Sequence, residues 1–315
     1  MMTMTAAMKQ GLVGLSVMLA TVVANGGTLA EYLASHYDPT ITFNEGSYRE
    51  SSSHCRLGAA FVTGRDPVTN ASRVIALKQF RAALPVQDEN RAVILMPPTG
   101  GENILDQKWA NQLCSRGIRV VMVESFETTP EVGLDLGMYD KQALRSLVAI
   151  RQTAEFLNQS GSNSIGILGT SLGALQASFA TVIDSRINTA VFIAGGMGLA
   201  QIVARSAEPE QARLREMRMK AWKLDQAGYD AAVAKAIHVD VLPFVEPTLK
   251  TRKKVLSVVA LNDSYVPTET QMRLYNAFGK QGVITFDREH VNSIARTSIF
   301  DSLTIVNFLV RNLPK

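Results

Sequence analysis

Ile165-Gly166-Ile167-Leu168-Gly169-Thr170-Ser171-Leu172-Gly173 joins a short apolar run to a Gly-x-Ser-x-Gly pentapeptide, and a helix-like segment follows it through Ala180. Alone, the pentapeptide carries little weight, because glycine and serine are common and such matches occur in loops. Between a strand and a helix it describes a sharp turn. The two glycines leave room for neighbouring backbone, and the serine hydroxyl is raised above the sheet edge. A serine hydroxyl is a weak nucleophile at neutral pH, so chemistry at Ser171 requires a base beside it and an open approach.

Similar apolar runs recur on both sides. Ala92 to Met96, Val120 to Val123, Ala190 to Ala194, Val255 to Ala260 and Val283 to Phe286 have the length and continuity of strands covered on both faces. Helix-like segments alternate with them, at about Ile104 to Arg116 and Asp140 to Asn158. A C-terminal helix is expected from about Ser298 to Val310. The alternation predicts an α/β fold: a mostly parallel central sheet flanked by helices and joined by right-handed crossovers. Upstream, Arg56 to Val62 and Arg73 to Phe80 are separated by Gly64, Asp66, Pro67 and Asn70, which predicts N-terminal antiparallel strands in a hairpin.

About sixty residues separate Ala194 from Val255, too many for a one-helix crossover. A helical cap insertion is expected at about 199–250. Within it, Glu208 to Leu224 places Leu214, Met217, Ala221 and Leu224 three or four apart among Arg213, Arg215, Arg218, Lys220 and Lys223. That stripe suits either a mobile lid or a helix packed on the domain.

From about Ala92 onward the chain resembles the α/β-hydrolase superfamily, on the strength of the pentapeptide in its strand-helix setting. The resemblance implies a Ser-His-Asp triad in the chain order nucleophile, acid, histidine. The strand Val255 to Ala260 runs into Leu261-Asn262-Asp263-Ser264-Tyr265-Val266-Pro267, which looks like the family's acid loop and makes Asp263 the candidate acid. The strand Val283 to Phe286 is followed by Asp287-Arg288-Glu289-His290. Of the four histidines, His36 and His54 precede the sheet and His238 falls in the insertion, which leaves His290 as the candidate base. Should Asp263 be only a turn residue, Asp240 or Glu246 would take its place. Pro97-Pro98-Thr99-Gly100-Gly101 resembles the family's His-Gly-Gly oxyanion loop, with Thr99 where a histidine often stands. Leu172 and either Gly100 or Gly101 would then supply the oxyanion N–H groups.

The resemblance implies acyl transfer to water, with a small-molecule or lipid-like carboxylic ester as substrate. Peptidase, amidase and thioesterase activities use the same constellation, and a non-catalytic binding platform is the alternative of another class. No metal or nucleotide motif is present, so no cofactor is expected. Glu131, Asp135 and Asp140 read as solvated loop and cap residues.

The bulk properties set further bounds. With 315 residues, 46% hydrophobic and 19% charged, the chain can bury a large core. Its net charge of +4 is scattered apart from Arg252-Lys253-Lys254, which reads as a solvated turn, and nucleic acid is not an expected partner. Residues 1–30 contain no acid and one base, Lys9, ahead of an apolar stretch from Gly11 to Ala24. This is the layout of a signal peptide cleaved before Asn25 or Glu31, with residues 31–315 forming the hydrolase domain. At about 14 residues the stretch is short for a membrane span. Kept uncleaved, it would be a membrane anchor, so the chain is expected to be exported to the periplasm or beyond the cell. Cys55 and Cys114 allow at most one internal disulfide, which the spacing does not decide.

Overall fold

The computed structural model describes residues 39–52, 54–83, 88–123, 133–239 and 253–314. The N-terminal segment, Glu131, Asp240 and Glu246 lie outside them. The described elements run β1 (Thr42–Glu45), β2 (Arg49–Ser52), β3 (Cys55–Arg65), β4 (Ser72–Ala82), β5 (Asp88–Met96), α1 (Ile104–Cys114), β6 (Ile118–Val123), α2 (Gly137–Gln159) and β7 (Ser164–Thr170). They continue with α3 (Leu172–Ile183), β8 (Ile187–Ile193), α4 (Leu199–Arg205), α5 (Pro209–Trp222), α6 (Gln226–Ala236), β9 (Lys254–Ala260), α7 (Thr268–Ala277), β10 (Gly282–Phe286), α8 (His290–Phe300) and α9 (Ser302–Asn312).

The strands form one sheet in the order β1-β3-β4-β6-β5-β7-β8-β9-β10, with β2 also on β3. Pairing is antiparallel from β1 to β6 and parallel from there to β10. The burial patterns follow from this. β6 and β7 are buried at every residue, as strands covered on both faces must be, whereas β3 alternates. Residue parity assigns each side chain to a face. Ile94, Val121, Ile167 and Phe192 join the core under α2 and α3, while Val93, Val120, Leu168 and Val191 join the one under α1 and α9.

A Cys55–Cys114 disulfide links β3 to the end of α1 across 59 residues of sequence. Closing a loop of that length stabilises the fold by about 4 kcal/mol on the chain-entropy account.

Four expectations need correction. The C-terminal helix is two helices, α8 and α9, bent by 69° at Asp301. The first was hidden because its buried face is Ser293, Thr297 and Ser298, not an apolar stripe. Thr297 and Ser298 satisfy their hydroxyls on the carbonyls of Ser293 and Ile294.

In α5 the buried residues are Leu214 and Arg218, while Ala221 is exposed. Fully buried Arg218 donates to Gly133 O (2.9 Å) and to the hydroxyls of Tyr139 (3.3 Å) and Tyr229 (3.2 Å), which ties α5 to α2 and α6. Asp140 is not solvated but buried. Its carboxylate accepts the backbone N–H of His238 and Val239, each at 3.0 Å, and pairs with His238 Nδ1 at 3.0 Å, anchoring the chain as it leaves α6.

Lys253 departs from the solvated-turn reading too. It is buried, and Nζ donates to Thr181 O and to Asp184 O (2.7 Å), capping the negative end of α3.

Candidate active site

Because β5 and β7 to β10 are parallel and in register, their carboxyl ends lie along one edge of the sheet. In open α/β sheets this edge is where ligands bind. Met96 of β5 pairs with Gly169 of β7, and Ala260 of β9 pairs with Phe286 of β10. The loops that leave these four strands carry every candidate site residue.

The turn after β7 is tight for reasons visible atom by atom. Ser171 sits at φ 54°, ψ −119°, a conformation that costs a non-glycine residue about 1–3 kcal/mol. Its N–H donates to Ile193 O on β8 (2.8 Å), and its own carbonyl accepts from Ala174 and Leu175 to start α3. A Cβ on Gly169 would lie 2.3 Å from Gly173 O. One on Gly173 would lie 2.1 Å from Met96 O and 2.4 Å from Pro97 O. Both glycines are therefore required by backbone contacts, and the second presses the start of α3 against the exit of β5.

Asp263 and His290 are brought together by bonds between their loops. Leu261 N–H donates to Phe286 O (2.8 Å), and Asn262 Nδ2 donates to Asp287 Oδ1 (2.7 Å). His290 then spans the other two residues: Nδ1 lies 2.5 Å from Asp263 Oδ2 and Nε2 lies 2.8 Å from Ser171 Oγ. The tautomer follows from chemistry. A buried carboxylate requires a donor, so Nδ1 carries the proton and Nε2 accepts the serine O–H. Asp263 Oδ1 accepts the N–H groups of Tyr265 (2.8 Å) and Val266 (2.9 Å), while Oδ2 also accepts from Gln271 Nε2 (2.7 Å). The Tyr265 ring lies beside the imidazole, with centroids 5.4 Å apart.

The loop after β5 separates its two glycine candidates. Gly100 (φ 92°) and Gly101 (φ 87°) both adopt conformations that favour glycine, but Gly101 N–H already donates to Pro98 O (3.1 Å). Pro97 and Pro98 have no N–H. Between Pro97 and Gly101, Thr99 and Gly100 are thus the residues whose N–H makes no hydrogen bond among the described residues. The loop is held from behind by an ion pair between Lys78 and Glu102 and by a capping box, in which Asn103 Oδ1 accepts from Asp106 N–H (3.4 Å), and from Leu105 N–H (2.8 Å) as well, while Asp106 Oδ2 accepts from Asn103 N–H (3.0 Å). Among the described residues, no group of three or more His, Cys, Asp or Glu side chains is arranged to hold a metal ion.

No family model and no curated protein matches the chain. Solved structures do. An acetyl xylan esterase from Paenibacillus sp. R4 is 15% identical with a TM-score of 0.64, over 95% of this chain and 94% of that one. Acetyl xylan esterase 1 from a Thermoanaerobacterium species is 17% identical with a TM-score of 0.63, over 90% and 92%. The chain has the α/β-hydrolase fold. A puromycin-hydrolyzing peptidase of Mycobacterium tuberculosis shares this α/β-hydrolase core at 16% identity and a TM-score of 0.55, over 82% of this chain and 46% of the peptidase. At such identities the likeness concerns the fold alone.

The capping box yields a pH-dependent prediction. Burial, together with the negative charge of Glu102, pushes the Asp106 carboxyl from 3.8 up to about 6, against the opposing pull of the Asn103 N–H. Between those two values the folded state holds more proton than the unfolded one, so stability falls as pH rises through that window. Thermal melts of the parent and of Asp106→Asn should show the parent losing stability relative to the variant from about pH 4 to about pH 6. A pH-independent difference between the two would contradict this.

Proposed function

We propose that the protein is a serine hydrolase that works by acyl transfer on a carboxylic ester. One observation carries the reading: the two ring nitrogens of His290 stand within hydrogen-bond reach of Ser171 Oγ and Asp263 Oδ2. In this mechanism Ser171 Oγ attacks the ester carbonyl carbon while His290 Nε2 takes the hydroxyl proton, and Asp263 stabilises the imidazolium without receiving a proton. The oxyanion lies against Leu172 N–H and an N–H of the Thr99-Gly100 pair. Collapse breaks the C–O bond, and His290 returns its proton to the leaving alcohol. Water, deprotonated by His290, then releases the acid and restores Ser171.

The ester is favoured because most of the structural neighbours described by activity are esterases. The peptidase among them keeps amide hydrolysis as a second reading. We also propose that the chain is exported, which is supported by the basic-then-apolar residues 1–30 and by the Cys55–Cys114 disulfide, a bond that persists in oxidising compartments.

A panel of aryl esters, thioesters and arylamides tests the activity. Esters should be hydrolysed fastest, and Ser171→Ala and Asp263→Asn should each lower kcat by about 10^4-fold with melting unchanged. Preferential release of arylamides would transfer the assignment to a peptidase, and a Ser171→Ala variant as active as the parent would remove it. For export, the N-terminus of the protein recovered outside the cytoplasm should be Asn25 or Glu31; an N-terminus at Met1 would contradict cleavage.

A further inference from the structure

Gln271 lies in the first turn of α7, wholly buried, eight residues after Asp263. Its amide is fully engaged. Oε1 accepts the backbone N–H of Ala260 (3.0 Å), while Nε2 donates to Val266 O (2.7 Å) and to Asp263 Oδ2 (2.7 Å). The orientation of an amide is often ambiguous, but here the surroundings dictate it. Turning it over would set NH2 against the Ala260 N–H, and its oxygen against both a carbonyl and a carboxylate. The last residue of β9 and the carbonyl of Val266 therefore force Gln271 to present an N–H to the oxygen that holds His290.

Asp263 Oδ2 has two donors, His290 Nδ1 and Gln271 Nε2, and Oδ1 has two more from the Tyr265 and Val266 backbone. The backbone pair fixes one end of the carboxylate. Without Gln271 the other end would depend on His290 alone, the one member of the set that must gain and lose a proton on its far side during turnover. A second, non-titrating donor holds Oδ2 in place through that change.

We propose that Gln271 is a positioning residue of the active site, acting on His290 only through Asp263. The inference rests on the triad reading above. It predicts that Gln271→Met and Gln271→Leu, which both remove the amide and keep an apolar side chain in its place, each lower kcat about 10- to 100-fold, the range for loss of one hydrogen bond to a charged group. KM should change less than twofold. The effect should also vanish when Asp263 is already altered: in an Asp263→Asn background either substitution should change kcat by less than about twofold, because residues that act as one unit are not additive.

Both variants are to be measured as the full chain, with kcat expressed per folded molecule from a melting curve. Equal losses in the parent and Asp263→Asn backgrounds would overturn the proposal, as would a loss confined to KM. Failure of both variants to fold would do the same, by showing that the side chain holds the β9–α7 junction and not the carboxylate. Failure of the triad reading itself is a separate outcome, visible as full activity in Asp263→Asn before any change at Gln271.

Discussion

At the site the start of α3 meets the exit of β5, and the missing Cβ of Gly173 makes that approach possible. The carbonyls of Met96 and Pro97 occupy the space a side chain would need. As a result the exits of two strands adjacent in the sheet meet: β7 brings Ser171 and the start of a helix, and β5 brings Met96 and Pro97, with Thr99 and Gly100 in the loop that follows. A helix N-terminus carries partial positive charge, so the same contact that crowds the backbone gathers donors where an oxyanion would form.

The rest of the arrangement opposes the strain and desolvation this entails. Ser171 is held at positive φ by its bond to Ile193 O and by the first bonds of α3. Asp263 is a buried carboxylate, expensive to bury unpaired, and its four donors remove that cost. Farther out, Lys253 caps the carboxyl end of α3, and Asp140 and Arg218 fasten the inserted helices to α2. Buried polar groups at these junctions are consistently spent on backbone carbonyls and N–H groups, so they specify where elements meet.

The parallel half of the sheet up to β9 was legible from apolar runs, since strands buried on both faces are largely apolar; β10, at the edge, alternates with exposed residues. The order of Ser171, Asp263 and His290 was legible because each follows such a run. What stayed hidden shares one cause. α8 packs serine and threonine inward, α5 buries an arginine, and Asp140 and Lys253 are charged residues that look solvated until their partners, 98 positions away for Asp140 and 69 to 72 for Lys253, are in place. Hydrophobic periodicity cannot report a residue whose burial is satisfied by polar partners, whether four residues back in the same helix, as in α8, or far along the chain. Gln271 belongs to the same group, its partners lying 5 to 11 residues away.

The central claim is that Ser171 is a nucleophile activated by His290. A fluorophosphonate phosphonylates such a serine with loss of fluoride, so peptide mass mapping of the folded protein after treatment tests it directly. The account predicts one adduct per chain, on the peptide containing Ser171, absent after denaturation before treatment and absent in His290→Ala. No adduct on folded protein, or an adduct at Ser171 that forms equally well without His290, would contradict it.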